Sequence, residues 1–426
     1  MNNQPENIHK KKRIVILTYG TRGDVEPFVA LGVRLIQIGY SVCLVGPQAF
    51  SSLVKDNGLE FQAIQSNSEE LGHIFGDKAG RNWIKMITGM IKHVIPLAKN
   101  TLGVIEHASR GADLIIHSFL MTDAGHTMAM KLGIPDISAQ FFPIFLPTNE
   151  FPAVGLPDLP LGKLYRLGAH SLSTGIFRYA PRIIYRRLQK SAPELPDLAP
   201  WLLTGSCEDR TPILYAFSRY ILPFPENWPA NAHITGYWQL PPPSGWEPPP
   251  DLVDFLDNGS PPIYFAPGSM QSKKSSQLLK LLLKSAQNSG QRVVLGVSPE
   301  YIPEDMNKKN IICASGVPHA WLFPRMTFIL HHGGAGTCGS ALSAGIPNTA
   351  IPFSVDQFFW AKRIALAGVG PSAPDARHLK EKDVTGLIKD GIGNPQYLET
   401  AINLAQKIRQ EDGLSTALNI IQTIIS

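Results

Sequence analysis

The stretch Arg13-Ile-Val-Ile-Leu-Thr-Tyr19, followed by Gly20-Thr-Arg-Gly-Asp24, decides the fold. An unbroken β-branched and aliphatic run is the pattern of a strand buried on both faces. The turn hands the chain to Val25–Gly39, which reads as a helix: Pro27 suits its first turn and Gly39 its C-terminal cap. Ser41-Val-Cys-Leu-Val45 is a second buried strand. Strand, helix and strand in this order make a β-α-β unit, the opening of a parallel sheet. Asp113-Leu-Ile-Ile-His117 and Pro135-Asp-Ile-Ser-Ala139 continue the rhythm.

Prolines then interrupt it. Pro223, Pro225 and Pro229, then Pro241-Pro-Pro243 and Pro248-Pro-Pro250, cannot sit inside helices or central strands, so residues 223–250 read as an interdomain linker. A second alternation follows: strand Ile263–Ala266, helix Ser276–Ser289, strand Arg292–Gly296, strand Phe328–His331 and a helix over about Thr337–Ala344. The expected class is α/β, with two Rossmann-like, doubly wound domains facing each other across a cleft. They span residues 1–222 and 251–426, and the last helix is expected to pack back on the first domain.

At 426 residues the chain can hold two domains with cores of ordinary size. Hydrophobic residues are 44% and charged residues 17%, a globular composition. The net charge of +5 is concentrated in His9–Arg13 and around Arg178–Lys190. A nucleic-acid partner needs a denser basic face with interleaved aromatics, so none is expected. Cys43, Cys207, Cys313 and Cys338 are scattered, without the spacing of a zinc site or a disulfide framework. The polar start Met1–Glu6 is followed by no apolar leader, and Ile14–Leu17 is too short to span a bilayer. A reducing, cytoplasmic location is expected.

The sharpest chemical signal is His331-His332-Gly333-Gly334-Ala335-Gly336-Thr337, after a strand and before a helix. Glycines there let the backbone approach an anion, and the open N–H groups of a helix start bind phosphate. A neighbouring histidine adds a hydrogen bond to a charged oxygen, worth about 1.5–3 kcal/mol. Downstream, Asp356-Gln357 at a strand end supplies a carboxylate and an amide suited to vicinal sugar hydroxyls.

These segments, with Ala344-Gly345-Ile346-Pro347 and Gly368-Val369-Gly370-Pro371, resemble the donor-binding region of family 1 glycosyltransferases. The opening Gly20–Pro27 resembles the start of sterol glucosyltransferases and bacterial antibiotic (vancomycin-type) glycosyltransferases, and Pro318–Pro324 looks like the sterol branch. The resemblance implies a GT-B fold with the acceptor in the N-terminal domain and the donor in the C-terminal one. It puts Asp24 in the place of the general base that deprotonates the acceptor hydroxyl. A carboxylate after the first strand also lies where doubly wound folds bind ligands, although it must be buried to become a useful base. Asp24 at a helix start equally suits the satisfaction of open N–H groups.

On the donor side the resemblance implies Ser269, His331 and the loop Gly333, Gly334, Ala335, Gly336 and Thr337 for the phosphates. It adds Thr21, Val317 and His319 near the nucleotide and Asp356 and Gln357 on the sugar. Gly339 stands where plant members carry a ribose-binding Glu, so UDP over dTDP is a preference of the branch. The implied reaction is transfer of a hexose, with inversion, onto a hydroxyl of an apolar acceptor. No resident cofactor is expected, since the nucleotide sugar is a co-substrate, and no metal, since no Asp-x-Asp motif is placed to hold one. An oxidoreductase is disfavoured because Gly20-x-x-Gly23 lacks the GxGxxG fingerprint. A retaining enzyme would need a Glu pair bracketing the donor loop. A non-catalytic sugar-nucleotide or lipid-binding protein would not keep Asp24, the Gly-rich loop and Asp356-Gln357 together.

The basic stretch Arg178–Lys190 reads as a helix from Pro181, with Arg182, Arg186 and Lys190 on one face and Ile184, Tyr185 and Leu188 on another. Such a helix suits peripheral contact with an anionic membrane, or simply a surface helix packed on the N-terminal domain.

Overall fold

The computed structural model describes residues 11–65, 100–191, 197–206, 210–266, 273–302, 308–353 and 355–426. β1 (Arg13–Leu17), α1 (Arg22–Gln37), β2 (Ser41–Pro47), α2 (Ser51–Asp56) and β3 (Glu60–Ile64) open the chain. Then come β4 (Leu114–His117), α3 (Thr122–Leu132), β5 (Asp136–Gln140), α4 (Gly162–Ser191), β6 (Ile213–Tyr215) and β7 (Ala232–Ile234). These strands form one parallel sheet in the order β3-β2-β1-β4-β5-β6-β7. The full burial of Ile14, Val15, Ile16 and Leu17 shows why β1 lacks polar alternation: helices cover both faces.

The second half holds α5 (Pro250–Asp257), β8 (Ile263–Ala266), α6 (Lys273–Asn288), β9 (Val293–Leu295), β10 (Ile311–Cys313) and α7 (His319–Leu322). It continues through β11 (Phe328–His331), α8 (Ala335–Ala344), β12 (Asn348–Ala350), α9 (Val355–Leu366), α10 (Glu381–Gly393), α11 (Pro395–Gln410) and α12 (Gly413–Ile425). Its sheet is parallel with the order β10-β9-β8-β11-β12. Two doubly wound domains are therefore present, and the loops at the carboxyl ends of both sheets line one cleft.

Two boundaries differ from the sequence reading. β7 pairs with β6 in parallel, so the first sheet claims the chain to residue 234 and the linker begins after it rather than at 223. The prolines at 223, 225 and 229 lie in the β6–β7 connection, where missing N–H groups cost no ladder bond. The helix expected from Pro181 starts at Gly162 and runs through that proline for 30 residues. Tyr185 is buried and Arg186 and Lys190 are exposed, as the expected faces require, but Arg182 is drawn to Asp123 (3.7 Å). Ile184 and Leu188 lie outside the described side chains.

α12 packs back on α1. Its Ala417, Leu418, Ile421 and Ile425 join Val25, Phe28, Val29, Leu31 and Leu35 in one core with Trp238. Asp412 caps the helix by accepting the Ser415 N–H at 2.9 Å. Ile421 is fully buried in a domain that is otherwise N-terminal in sequence. We expect Ile421→Ala to lower unfolding free energy by about 2–5 kcal/mol, measured as a reduced urea midpoint. A change within experimental error would mean that the last helix is dispensable to the first domain.

Candidate active site

Asp24 sits in the first turn of α1, on the loop leaving β1. Its Oδ2 accepts from the Thr21 N–H at 2.7 Å and from the Thr21 hydroxyl at 2.9 Å. Oδ1 has no partner among the described residues. One carboxylate oxygen is thus fixed by the helix start while the other is left for chemistry; the capping and base roles coexist. Burial pushes the carboxyl pKa up, opposed by the two Thr21 hydrogen bonds. Gly20 holds φ at +141°, and a Cβ there would lie 2.3 Å from Asp24 Oδ2. Only glycine leaves the carboxylate its place.

A cleft of about 880 Å³ extends from Asp24. On the N-terminal side its walls include Phe119 after β4, Phe141 and Phe142 after β5, and Phe177 on α4. Phe119 meets Phe177 edge to face at 5.0 Å and Phe142 at 5.5 Å. Phe145, the one non-glycine residue with positive φ among the described residues (75°), is packed behind them against Phe177 and Trp201. Such a wall suits a rigid apolar molecule. No motif marks these aromatics one by one, but Phe142, Phe145 and Phe177 fall within 142–185, the stretch where the family resemblance fades and the acceptor pocket is expected.

On the opposite side stand His332, Gly334, Ala335, Gly336 and Thr337. The first backbone bond of α8 is Cys338 N–H to Gly334 O (2.9 Å), so the N–H groups of Ala335, Gly336 and Thr337 are open at the helix start. Here the structure corrects the histidine. His331 is fully buried, and its Nδ1 accepts from the Gly333 N–H (3.2 Å) while Nε2 faces Asn348 Oδ1 at 3.4 Å. Asn348 Nδ2 donates to Ile346 O, leaving its oxygen as acceptor, so Nε2 carries the His331 proton. Both ring nitrogens and the Gly333 N–H are spent inside the domain. His331 and Gly333 therefore form the turn and do not face the cleft.

His332 faces it instead. Its Nδ1 is buried with no hydrogen-bond partner among the described residues, so a ring nitrogen beside the cleft is left unspent. Burial lowers its pKa to about 4, so the ring is neutral at pH 7. A Cβ at Gly334 would stand 2.4 Å from His332 Nε2, so a side chain there would displace the ring.

His319 and Val317 line the cleft near β10. The His319 ring stacks on Phe323 (4.2 Å) with Nε2 3.2 Å from the Tyr264 hydroxyl. Burial first, then the charges of Arg22 and His332, lower its pKa to about 4. Thr21, expected among donor contacts, is committed to Asp24. Asp356 and Gln357 occupy the first turn of α9 rather than a strand end. Gln357 Oε1 accepts from the Phe353 N–H (3.0 Å), and Asp356 lines the cleft beside it, across from Asp24. Burial first, and then the charge of Asp24, push the Asp356 carboxyl up to about 7. Ser269 lies outside the described residues.

Gly339 is explained by Tyr237, which arrives from the linker: a Cβ at 339 would stand 2.6 Å from its ring. The position is a seat for an aromatic, not a place for a ribose-binding carboxylate.

This arrangement, two doubly wound domains with an acid on one lip and a phosphate-ready helix start on the other, is that of a GT-B glycosyltransferase. Residues 14–117 match the glycosyltransferase family 28 N-terminal domain, and residues 282–415 match the C-terminal domain of the erythromycin biosynthesis protein CIII-like family. The chain belongs to these glycosyltransferases. It is 29% identical over 428 residues to an O-mycaminosyltylonolide 6-deoxyallosyltransferase of Streptomyces fradiae, covering 96% of this chain and 97% of that one. It is also 29% identical to a sterol 3-beta-glucosyltransferase of Arabidopsis thaliana over 96% of its own length and 67% of the relative's. The solved kitacinnamycin glycosyltransferase shares the fold, with a TM-score of 0.69 at 16% identity, over 98% of this chain and all of that one.

We expect His332→Ala to cut turnover by roughly 10²–10³-fold, the usual cost of one donor to developing charge. His331→Ala should act mainly through lost stability, because it leaves Gly333 and Asn348 unpaired in the interior. Steady-state kinetics beside thermal unfolding of both variants separates the two. Equal turnover with His332→Ala and wild type would return the phosphate role to another group.

Proposed function

We propose that the protein moves a hexose, glucose from UDP-glucose, onto the hydroxyl of an apolar acceptor such as a sterol, another lipid alcohol or a polyketide-like natural product. The observation that carries this is the setting of Asp24: one oxygen tethered, the other open, an aromatic wall beside it and an open helix start across the cleft. Asp24 Oδ1 takes the acceptor proton while the oxygen attacks the anomeric carbon from the face opposite the diphosphate. Asp24 read as the base, with Asp356 read as a contact to sugar hydroxyls, favours a single displacement with inversion, so an α-linked donor gives a β-glycoside. The leaving diphosphate is met by the N–H groups of Ala335, Gly336 and Thr337, by His332 and, from the family resemblance, by Ser269.

No resident metal or cofactor enters this reading, and the nucleotide sugar is a co-substrate. Transfer of a deoxysugar from a dTDP donor is the second reading, supported by the near full-length similarity to the deoxyallosyltransferase. Peripheral contact with an anionic membrane also belongs to the proposal.

Asp24→Asn should lower transfer by roughly 10²–10⁴-fold and leave donor affinity nearly unchanged. The base acts when ionised, and burial raises its pKa. Activity of the wild type should therefore fall as pH drops, through a midpoint above the ordinary carboxylate range, and the residual activity of Asp24→Asn should lack that limb. A wild-type acid limb at or below the ordinary range would remove Asp24 as the buried base. Full activity in excess chelator, and an NMR coupling of the product characteristic of the β-anomer, are the accompanying expectations. Dependence on added magnesium, or a retained α-linkage, would each replace this mechanism.

A further inference from the structure

α4 has two faces, and the proposed acceptor chemistry uses only one. Phe177 lines the cleft, His170 Nε2 bonds the carbonyl of Phe151 at 3.0 Å, and Ala169 and Ser173 are buried. The opposite face is apolar and open. Leu161 is 63% exposed, Leu164 86%, Leu172 59%, Tyr179 56% and Ile183 54%. With Gly168 and Gly175 between them, Leu164, Leu172, Tyr179 and Ile183 recur at steps of three and four and form one stripe along the helix, and Leu161 lies just before its start. Arg186 and Lys190 continue the stripe at its C-terminal end, and Arg178 flanks it; all three are exposed.

Seven of the fifteen exposed large hydrophobics among the described residues fall between Leu159 and Ile183, a concentration that ordinary surface scatter does not give. The charge is equally one-sided. The 30-residue helix Gly162–Ser191 carries seven Lys and Arg and no Asp or Glu. Arg166 and Arg182 are drawn inward to Asp158 and Asp123, which leaves Lys163, Arg178, Arg186 and Lys190 without a carboxylate partner among the described residues. The helix is too polar to cross a bilayer.

We propose that the outward face of Leu159–Lys190 docks on an anionic lipid bilayer, with the leucines at 159–172 entering the acyl boundary and Arg178, Arg186 and Lys190 meeting the headgroups. The charge complementarity selects a lipid surface over an apolar protein partner, because an apolar stripe ending in unpaired cations is the pattern of an interfacial helix. The docking deepens the proposed reading: Phe177 touches the acceptor cleft on one side of the helix while Tyr179 and Ile183 meet lipid on the other, so a membrane alcohol is delivered beside the aromatic wall. It rests on that reading for its purpose and is tested independently of it.

The experiment is flotation with vesicles of phosphatidylcholine alone and of phosphatidylcholine mixed with phosphatidylserine. It compares the full chain with Leu161→Gln/Leu164→Gln/Leu172→Gln and with Arg178→Gln/Arg186→Gln/Lys190→Gln. Wild type should float with the anionic vesicles. The leucine variant should lose partitioning at least roughly tenfold, and the cation variant should lose the preference for phosphatidylserine and the sensitivity to salt. Both variants should keep wild-type donor hydrolysis and melting temperature, since the changed side chains stand in solvent. Wild type remaining with the unbound fraction, variants floating like wild type, or a wild-type dimer that the leucine variant dissolves would each overturn the proposal. The last outcome would assign the stripe to a second copy of the chain. Loss of donor hydrolysis in all forms, with flotation intact, would instead count against the glycosyl-transfer reading.

Discussion

Two backbones cross where no side chain fits, and the cleft depends on that crossing. The chain leaves the first sheet after β7 through Gly236, at φ +100°, and returns from the second domain at Gly413. A Cβ on Gly413 would lie 2.6 Å from both Gly236 C and Tyr237 O, and one on Gly236 would lie 3.2 Å from Gly413 Cα. Contact this close brings the start of α12 onto the exit of the N-terminal domain. From there α12 can only run along α1, whose first turn carries Asp24. The helix that carries Asp24 is therefore held by residues from the far end of the sequence. Beside the crossing, Tyr237 lies against Gly339 of α8, the helix whose start lines the other side of the cleft. Asp24 and the start of α8 are set against each other through one backbone contact and one aromatic ring.

The strands were legible because a parallel strand covered on both faces needs a nearly continuous apolar run, and few other structures tolerate one. β8 and β11 begin and end where the sequence reading placed them, at Ile263–Ala266 and Phe328–His331. The linker was less legible because prolines mark where a strand cannot be, not which sheet the chain belongs to; β7 is three residues long and announces itself only by pairing with β6. α4 was obscured by Pro181, which normally ends helices. Here the helix carries it within 30 residues, anchored by Phe177, Ala169 and Tyr185.

The site itself was legible to the motif and not to the atom. His331 and His332 are indistinguishable by composition. What separates them is the end of β11: residue 331 still points into the sheet's interior, and residue 332 begins the turn and looks outward. Long-range packing chose, and only the acceptors on Asn348 and the donor on Gly333 reveal the choice. The aromatic wall was legible only as a region, about 142–185, for a different reason. Phe119, Phe142, Phe145 and Phe177 come from two strand ends, a strained loop residue and a helix, with no spacing that a sequence pattern could register.

Charge in the cleft is arranged so that neither carboxylate can be understood alone. Asp24 and Asp356 come from different domains, and the charge of one raises the pKa of the other. With Asp356 at about 7, a neutral solution holds a substantial share of it protonated. The histidines contribute no compensating positive charge, because burial holds His319, His331 and His332 neutral at that pH. In the proposed reaction the diphosphate is met by dipoles rather than by imidazolium: the open N–H groups of α8 carry partial positive charge without a proton to lose. Arg22, two residues from Asp24, also lines the cleft, but it is ion-paired to Glu26, so the positive charge nearest the carboxylate is already shared. A helix dipole acts only over its first turn, and the proposed phosphate contacts on α8 therefore add little to the field at Asp24 across the cleft.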